Sequence, residues 1–170
     1  VIDTAVSNSC EIIEYKPEGY ELFPLIEEIS KTARNANNVQ LSNSDRVLVI
    51  GKGIKKKENI FLFEKLANIF NAKLAVTRAI VDMGWYPKEY LIGQTGVTVK
   101  PQLYIAFGVS GALQHLAGVK SCERMVAINT DPDAMIFKFA NFGVVMDAST
   151  FAKQLINYFE SDSNYASAIA

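Results

Sequence analysis

The sequence predicts an α/β fold, an open parallel sheet with helices on both faces. Two observations predict it. From Asp45 onward, short apolar runs alternate with stretches whose apolar residues recur at helical spacing. Each run also ends in glycine or a polar residue, as strands do when they deliver loops to a ligand rim.

The elements follow in order. RVLVIG at 46–51 is an apolar run closing on Gly51, the pattern of a buried parallel strand. Residues 58–70 place Ile60, Phe63, Leu66, Ala67 and Phe70 on one helical face. KLAVT at 73–77 is a second strand, and 83–102, with Gly84, Pro87, Gly93, Gly96 and Pro101, is a long irregular stretch. LYIAFGV at 103–109 is the third strand. Ser110 is placed to cap a helix running to Ala117, with Gly118 at its end. RMVAIN at 124–129 is the fourth strand. Asp131-Pro132 fits the cap and first position of a short helix to Phe139. FGVVMD at 142–147 is the fifth strand, and Ser149 caps a last helix with Phe151, Leu155, Ile156 and Phe159 on one face.

Residues 1–44 read differently. CEIIEY at 10–15 has strand character, 16–19 is turn chemistry, and 21–34 shows helical spacing. Asn35 to Ser44 is Asn/Ser-rich and reads as a linker. The expected organisation is therefore a remnant plus linker over 1–44, a domain over 45–160, and a flexible tail over 161–170.

Composition bounds the function. At 170 residues, 49% hydrophobic and 21% charged, the chain is one ordinary globular domain with an arm. Its 17 basic and 18 acidic side chains give a net charge of −1, which provides no general attraction to nucleic acid or anionic lipid. No apolar run approaches a membrane span. Cys10 and Cys122 form no CxxC and His115 is the single histidine, so a four-ligand zinc site is excluded. Both thiols read as reduced and inert.

Small, polar and charged residues gather at the predicted carboxyl ends of the strands: Gly51, Lys52 and Gly53; Thr77 and Arg78; Gly108, Ser110 and Gly111; Asn129 and Asp131; Asp147. Gly51-Lys52-Gly53 invites a dinucleotide fingerprint, but Lys56 stands where its third glycine belongs. Thr77 and Arg78 occupy the place of its ribose-binding acid. An NAD-linked enzyme is disfavoured on both counts, and a tight turn explains the two glycines as well or better. Val109-Ser110-Gly111-Ala112 opens a helix after a strand and could present N–H groups to a pyrophosphate, or Ser110 could be a plain cap. Gly93-Gln94-Thr95-Gly96 is a small-polar loop or an ordinary turn. Arg78 after a buried strand calls for an anionic or planar partner, or for an ion pair with Asp82 at i+4. Lys55, Lys56 and Lys57 read as a solvated helix start.

VTRAIVDMGW at 76–85, LIGQTGVTVKPQLYIAFGVSGALQHLAG at 91–118 and VAINTDPDAMIF at 126–137 together resemble the FAD-binding domain of the electron transfer flavoprotein alpha subunit. The resemblance runs from about Val47 to Phe159. It implies a Rossmann-like FAD-binding domain at the C-terminal end of a longer alpha subunit, paired with a beta subunit. It further implies an electron carrier that takes electrons from flavoprotein dehydrogenases, such as acyl-CoA dehydrogenases, with the flavin doing the redox chemistry. No nucleic acid or membrane insertion enters. A bacterial cytoplasm is placed ahead of a mitochondrial matrix.

Residue by residue, the resemblance implies that Arg78 packs against the isoalloxazine. Gln94 and Thr95, with Ile92 and Gly93 before them, reach the flavin N5 region. His115 lies near the pyrimidine carbonyl. Ser110, Gly111, Ala112, Leu113 and Gln114 lie near the ribityl and phosphate groups. Asn129 and Asp147, with Ala148, hold the adenosine end, and Lys52 and Thr77 complete the set. Arg78 and His115 would stabilise negative charge on the reduced flavin. Three positions depart from the family pattern. Lys52 replaces the usual arginine, giving a point charge for a planar fork. Leu91 replaces a glutamine found in some members, and Thr77 replaces a common serine. The alternative is a nucleotide-binding or subunit-assembly module that holds FAD only with the rest of the protein.

Overall fold

The computed structural model describes residues 41–119 and 121–161. The strand, turn and helix read over 10–34, Cys10, most of the linker and nearly all of the tail lie outside these residues.

Five strands form one sheet in the order β2-β1-β3-β4-β5, every pair parallel. They are β1 (Arg46–Ile50), β2 (Lys73–Val76), β3 (Leu103–Phe107), β4 (Arg124–Asn129) and β5 (Phe142–Val145). The apolar runs set their places. Val47, Leu48, Val49 and Ile50 are wholly buried, because β1 sits between two neighbours and is covered on both faces. Phe142 and Val145 of β5 are exposed, as an edge strand with an uncovered face allows.

One face carries α1 (Ile60–Ile69) and α4 (Ala148–Ser161). Ile60, Phe63 and Leu66 of α1 and Ala152 and Ile156 of α4 bury themselves against Leu48, Ile50, Ile105 and Phe107. Phe63 and Phe107 meet at a ring-centroid distance of 5.1 Å, tilted by 57°. α1 ends in a Schellman turn. Asn71 takes φ +47°, its N–H donates to the Asn68 carbonyl, and Ala72 N–H donates to Ala67 at 2.7 Å.

The opposite face carries Val47, Val49, Ala75, Tyr104, Ala106 and Ala127. α3 (Leu113–Leu116), the 91–99 stretch and the Ala134–Ile136 segment cover it. Leu41 is buried here too, so the packed domain takes in residues assigned to the linker.

Several local expectations change. A helix α2 (Arg78–Asp82) follows β2 directly, where none was expected. The helix read over 110–117 is reduced to α3. It starts after Ala112 and receives no side-chain cap from Ser110, because Gly111 turns the chain at φ +85°. The helix expected after Pro132 is a 3₁₀ turn, Met135–Lys138. Ser149 lies inside α4. Asp147 precedes that helix and accepts hydrogen bonds from the Thr150 N–H at 3.0 Å and hydroxyl at 3.1 Å. The lysine run does not start α1: Lys55 takes φ +68°, and a 3₁₀ turn (Lys57–Asn59) intervenes.

Candidate functional site

The strand order reverses between β1 and β3, and ligands in such sheets bind at the carboxyl ends beside that reversal. The carboxyl ends of β1, β2, β3 and β4 open onto one cavity of about 700 Å³. That is the size of a small-molecule or cofactor site.

Its floor is built from glycine. The loops leaving β1 and β3 cross in backbone contact, with the Gly53 N–H donating to the Gly108 carbonyl at 3.0 Å. A Cβ on Gly53 would fall 2.6 Å from the Gly108 Cα. Gly108 itself stands at φ +62°, where side chains are strained. Gly51 and Gly53 therefore serve a close approach of two loops as well as a turn. From there the chain runs through Val109, Ser110 and Ala112 along the cavity. Among the described residues, the backbone N–H groups of 109–114 have no hydrogen-bond partner. This is a row of donors suited to anionic oxygens.

The second wall is the 91–95 loop. Leu91 and Ile92 are buried and fasten it below, through an Ile92 N–H to Val76 carbonyl bond at 3.1 Å. The Gln94 N–H donates to the Gln114 carbonyl at 2.7 Å, which ties the loop to α3. His115 lines the cavity but is itself buried. Its Nδ1 is 3.0 Å from the Ile92 carbonyl oxygen and its Nε2 is 2.6 Å from the Tyr104 hydroxyl. Burial holds its pKa below the ordinary 6.5, against the opposing pull of the Ile92 carbonyl. A protonated imidazole is disfavoured here.

Arg78 stands at the rim, largely exposed, with its Nε donating to Asp82 at 2.6 Å. This is the i,i+4 pair the sequence offered as the plainer account. An exposed pair of this kind contributes at most about 1 kcal/mol, so it leaves the guanidinium available to a ligand. Asn129 bridges two segments. It donates to the Val109 carbonyl at 2.9 Å and accepts the Asp131 N–H at 3.1 Å.

Of the residues singled out from the sequence, Lys52, Thr77, Arg78, Ile92, Gly93, Gln94, Thr95, Ser110, Ala112, Gln114, His115 and Asn129 line this cavity. Gly111, Leu113, Asp147 and Ala148 do not line it. Gly111 packs on the Ile136 backbone, and Leu113 points to solvent. Asp147 pairs with Lys55 at 2.5 Å, and that ammonium is the main reason its carboxyl lies below the usual range. Ala79 and Ala134 line the cavity without having been singled out for it. They are plain apolar residues, and only their place beside strand ends could have marked them.

Residues 40–120 match the family model described as the electron transfer flavoprotein FAD-binding domain. This stretch is similar to that family's FAD-binding domain. Every residue of the β1, β2 and β3 rims and of the 91–95 loop falls inside the matched stretch. Among curated proteins, the electron transfer flavoprotein subunit alpha of Thermoanaerobacterium thermosaccharolyticum is 44% identical over 119 residues. These are 70% of this chain and 36% of that protein. The mitochondrial electron transfer flavoprotein subunit alpha of Oryza sativa is 41% identical over 128 residues, 75% of this chain and 36% of that protein. The Mycobacterium leprae electron transfer flavoprotein subunit alpha is 45% identical over 119 residues, 70% of this chain and 37% of that protein. The chain thus spans little more than a third of the length of these electron transfer flavoprotein relatives.

Proposed function

We propose that this chain holds FAD in the cavity at the carboxyl ends of β1–β4. In this reading it is the flavin-holding part of an electron carrier made from an alpha and a beta subunit. That carrier relays electrons from flavoprotein dehydrogenases, acyl-CoA dehydrogenases among them, to an acceptor. FAD, when bound, supplies the redox chemistry. The residues of this chain bind it, orient it and set its electrostatic surroundings.

The observation that carries the reading is a single cavity walled by segments from four strand ends, all but the last inside the family match. The lining fits the group. Ala79, Leu91, Ile92, Val109 and Ala134 offer apolar surface to flat rings. The N–H groups of Val109, Ser110, Ala112 and Gln114 offer donors to phosphate oxygens. Lys52 and Arg78 are the cations lining the cavity among the described residues, and they supply the charge opposite an anionic ligand. With His115 neutral, Arg78 is the candidate to stabilise negative charge on the reduced ring. No described helix is long and apolar enough to cross a membrane. A bacterial cytoplasm, ahead of a mitochondrial matrix, is the compartment we infer; the free Cys122 thiol is compatible with either.

A second reading is favoured by Asp147, which pairs with Lys55 and stands outside the cavity. In that reading the adenosine end is completed by protein beyond this domain, and the chain alone is a nucleotide-binding assembly module. Titrating the full chain into FAD, AMP and NAD separates the two, read by flavin fluorescence and by calorimetry. Saturable FAD uptake with AMP and NAD much weaker is expected. FAD binding as weak as AMP binding would favour the module, and no binding of FAD would overturn the first reading.

A further inference from the structure

His115 is the single histidine of the chain, and both its ring nitrogens are engaged inside the protein. The Ile92 carbonyl can only accept, so Nδ1 carries the proton and donates across 3.0 Å. The lone pair then lies on Nε2, and the Tyr104 O–H donates to it at 2.6 Å. Tyr104 is wholly buried, on the β3 face away from α1. Burial raises the phenol pKa and lowers that of the imidazole, so both groups stay neutral and the direction of the two bonds is kept. The carbonyl at the end of this relay begins the segment that brings Gly93, Gln94 and Thr95 to the cavity.

We propose that Tyr104 is a positioning residue: its hydroxyl anchors the imidazole of His115 at Nε2, and the anchored ring, protonated at Nδ1, holds Ile92 and the 93–95 loop against the cavity wall. Tyr104 does not line the cavity itself and acts only through His115. Without the hydroxyl, the buried Nε2 lone pair loses its donor. An Nε2 proton would find no acceptor there, so the ring gains instead by tilting or turning to give Nε2 a new donor, and that loosens the Ile92 bond. The effect on ligand binding rests on the FAD reading above; the tautomer and the loop tether do not.

The test uses the full chain labelled with ¹⁵N-histidine, in which one imidazole gives one pair of nitrogen signals. Long-range ¹H–¹⁵N correlation is expected to show a neutral ring protonated at Nδ1, with or without FAD. Tyr104→Phe keeps the ring and removes the hydroxyl. It is expected to shift the Nε2 nitrogen signal by loss of its donor, to give at least tenfold faster exchange of the Gln94 and Val97 amides, and to weaken FAD binding about tenfold. A wild-type ring protonated at Nε2 would overturn the proposal, as would a Tyr104→Phe chain with unchanged Nε2 signal and loop exchange. Should that variant not fold, His115→Gln and His115→Ala decide. Glutamine can accept from Tyr104 and donate to Ile92, so it is expected to retain slow loop exchange while alanine loses it. Equal exchange in both variants counts against the relay. If wild type takes up no FAD, the FAD reading fails, while the tautomer and exchange measurements still decide the role of Tyr104.

Discussion

His115 shows how burial decides what a side chain can do. Its pKa in the folded chain is depressed, so between that value and 6.5 the unfolded chain binds the extra proton. The stability from keeping the ring neutral is full above about pH 6.5 and is lost as pH falls through the window below it. The hydrogen-bonded group facing the ring from β3 is Tyr104, which is neutral throughout that window. Urea unfolding of wild type between pH 7.5 and pH 5 should therefore show falling stability, and His115→Gln should flatten that slope. An equal slope in both chains would place the titration elsewhere. Asp147 has a folded pKa below its ordinary 3.8, so its stabilisation is lost only in more acidic solution. The two effects are thus separable. Arg78 poses the opposite case, exposed and, among the described residues, paired only with Asp82. Arg78→Ala is expected to change folding stability by no more than about 0.5 kcal/mol. It is also expected to lower the reduction potential of bound FAD, and an unchanged potential in the loaded variant would remove Arg78 from that role. Sequence reading placed both residues near the ligand. It could not see the Tyr104 and Ile92 partners of His115, which lie 11 and 23 positions away and meet it only through the fold.

Elements were legible in proportion to their length and burial. β1 to β5 begin where their runs begin; β1 is apolar because it is covered on both faces, whereas β5 is an edge strand whose apolar run leaves Phe142 and Val145 exposed. α1 and α4 were visible from one apolar face each. α2 and α3, with five and four residues, are too short to show a period, and each is set by the loop before it. The cap of α4 was misassigned because Asp147 and Ser149 are both good caps, and only the hydrogen bonds to Thr150 distinguish them. Glycine placement also needed the fold. Gly53 looked like a turn residue, yet what fixes it is the Gly108 backbone 2.6 Å from where a Cβ would stand. Gly53→Ala must push two loops apart, at a cost of about 1–3 kcal/mol. Because those loops form the cavity floor, FAD binding should weaken with stability, by denaturant midpoint and titration respectively. A variant as stable and as tight-binding as wild type would mean the contact is easily relaxed.

At the scale of the whole molecule, the order β2-β1-β3-β4-β5 explains why distant residues meet. The strand order reverses between β1 and β3, whose carboxyl-terminal loops meet as the cavity floor, and the loops after β2 and β4 close the flanks of the same cavity. The most direct measurement is gel filtration of the 170-residue chain with excess FAD, followed by the visible spectrum and circular dichroism of the protein peak. The account predicts about one FAD per chain travelling with folded protein, with flavin bands shifted from those of free FAD. A folded chain that elutes colourless, with all of the FAD in the small-molecule volume, would contradict it.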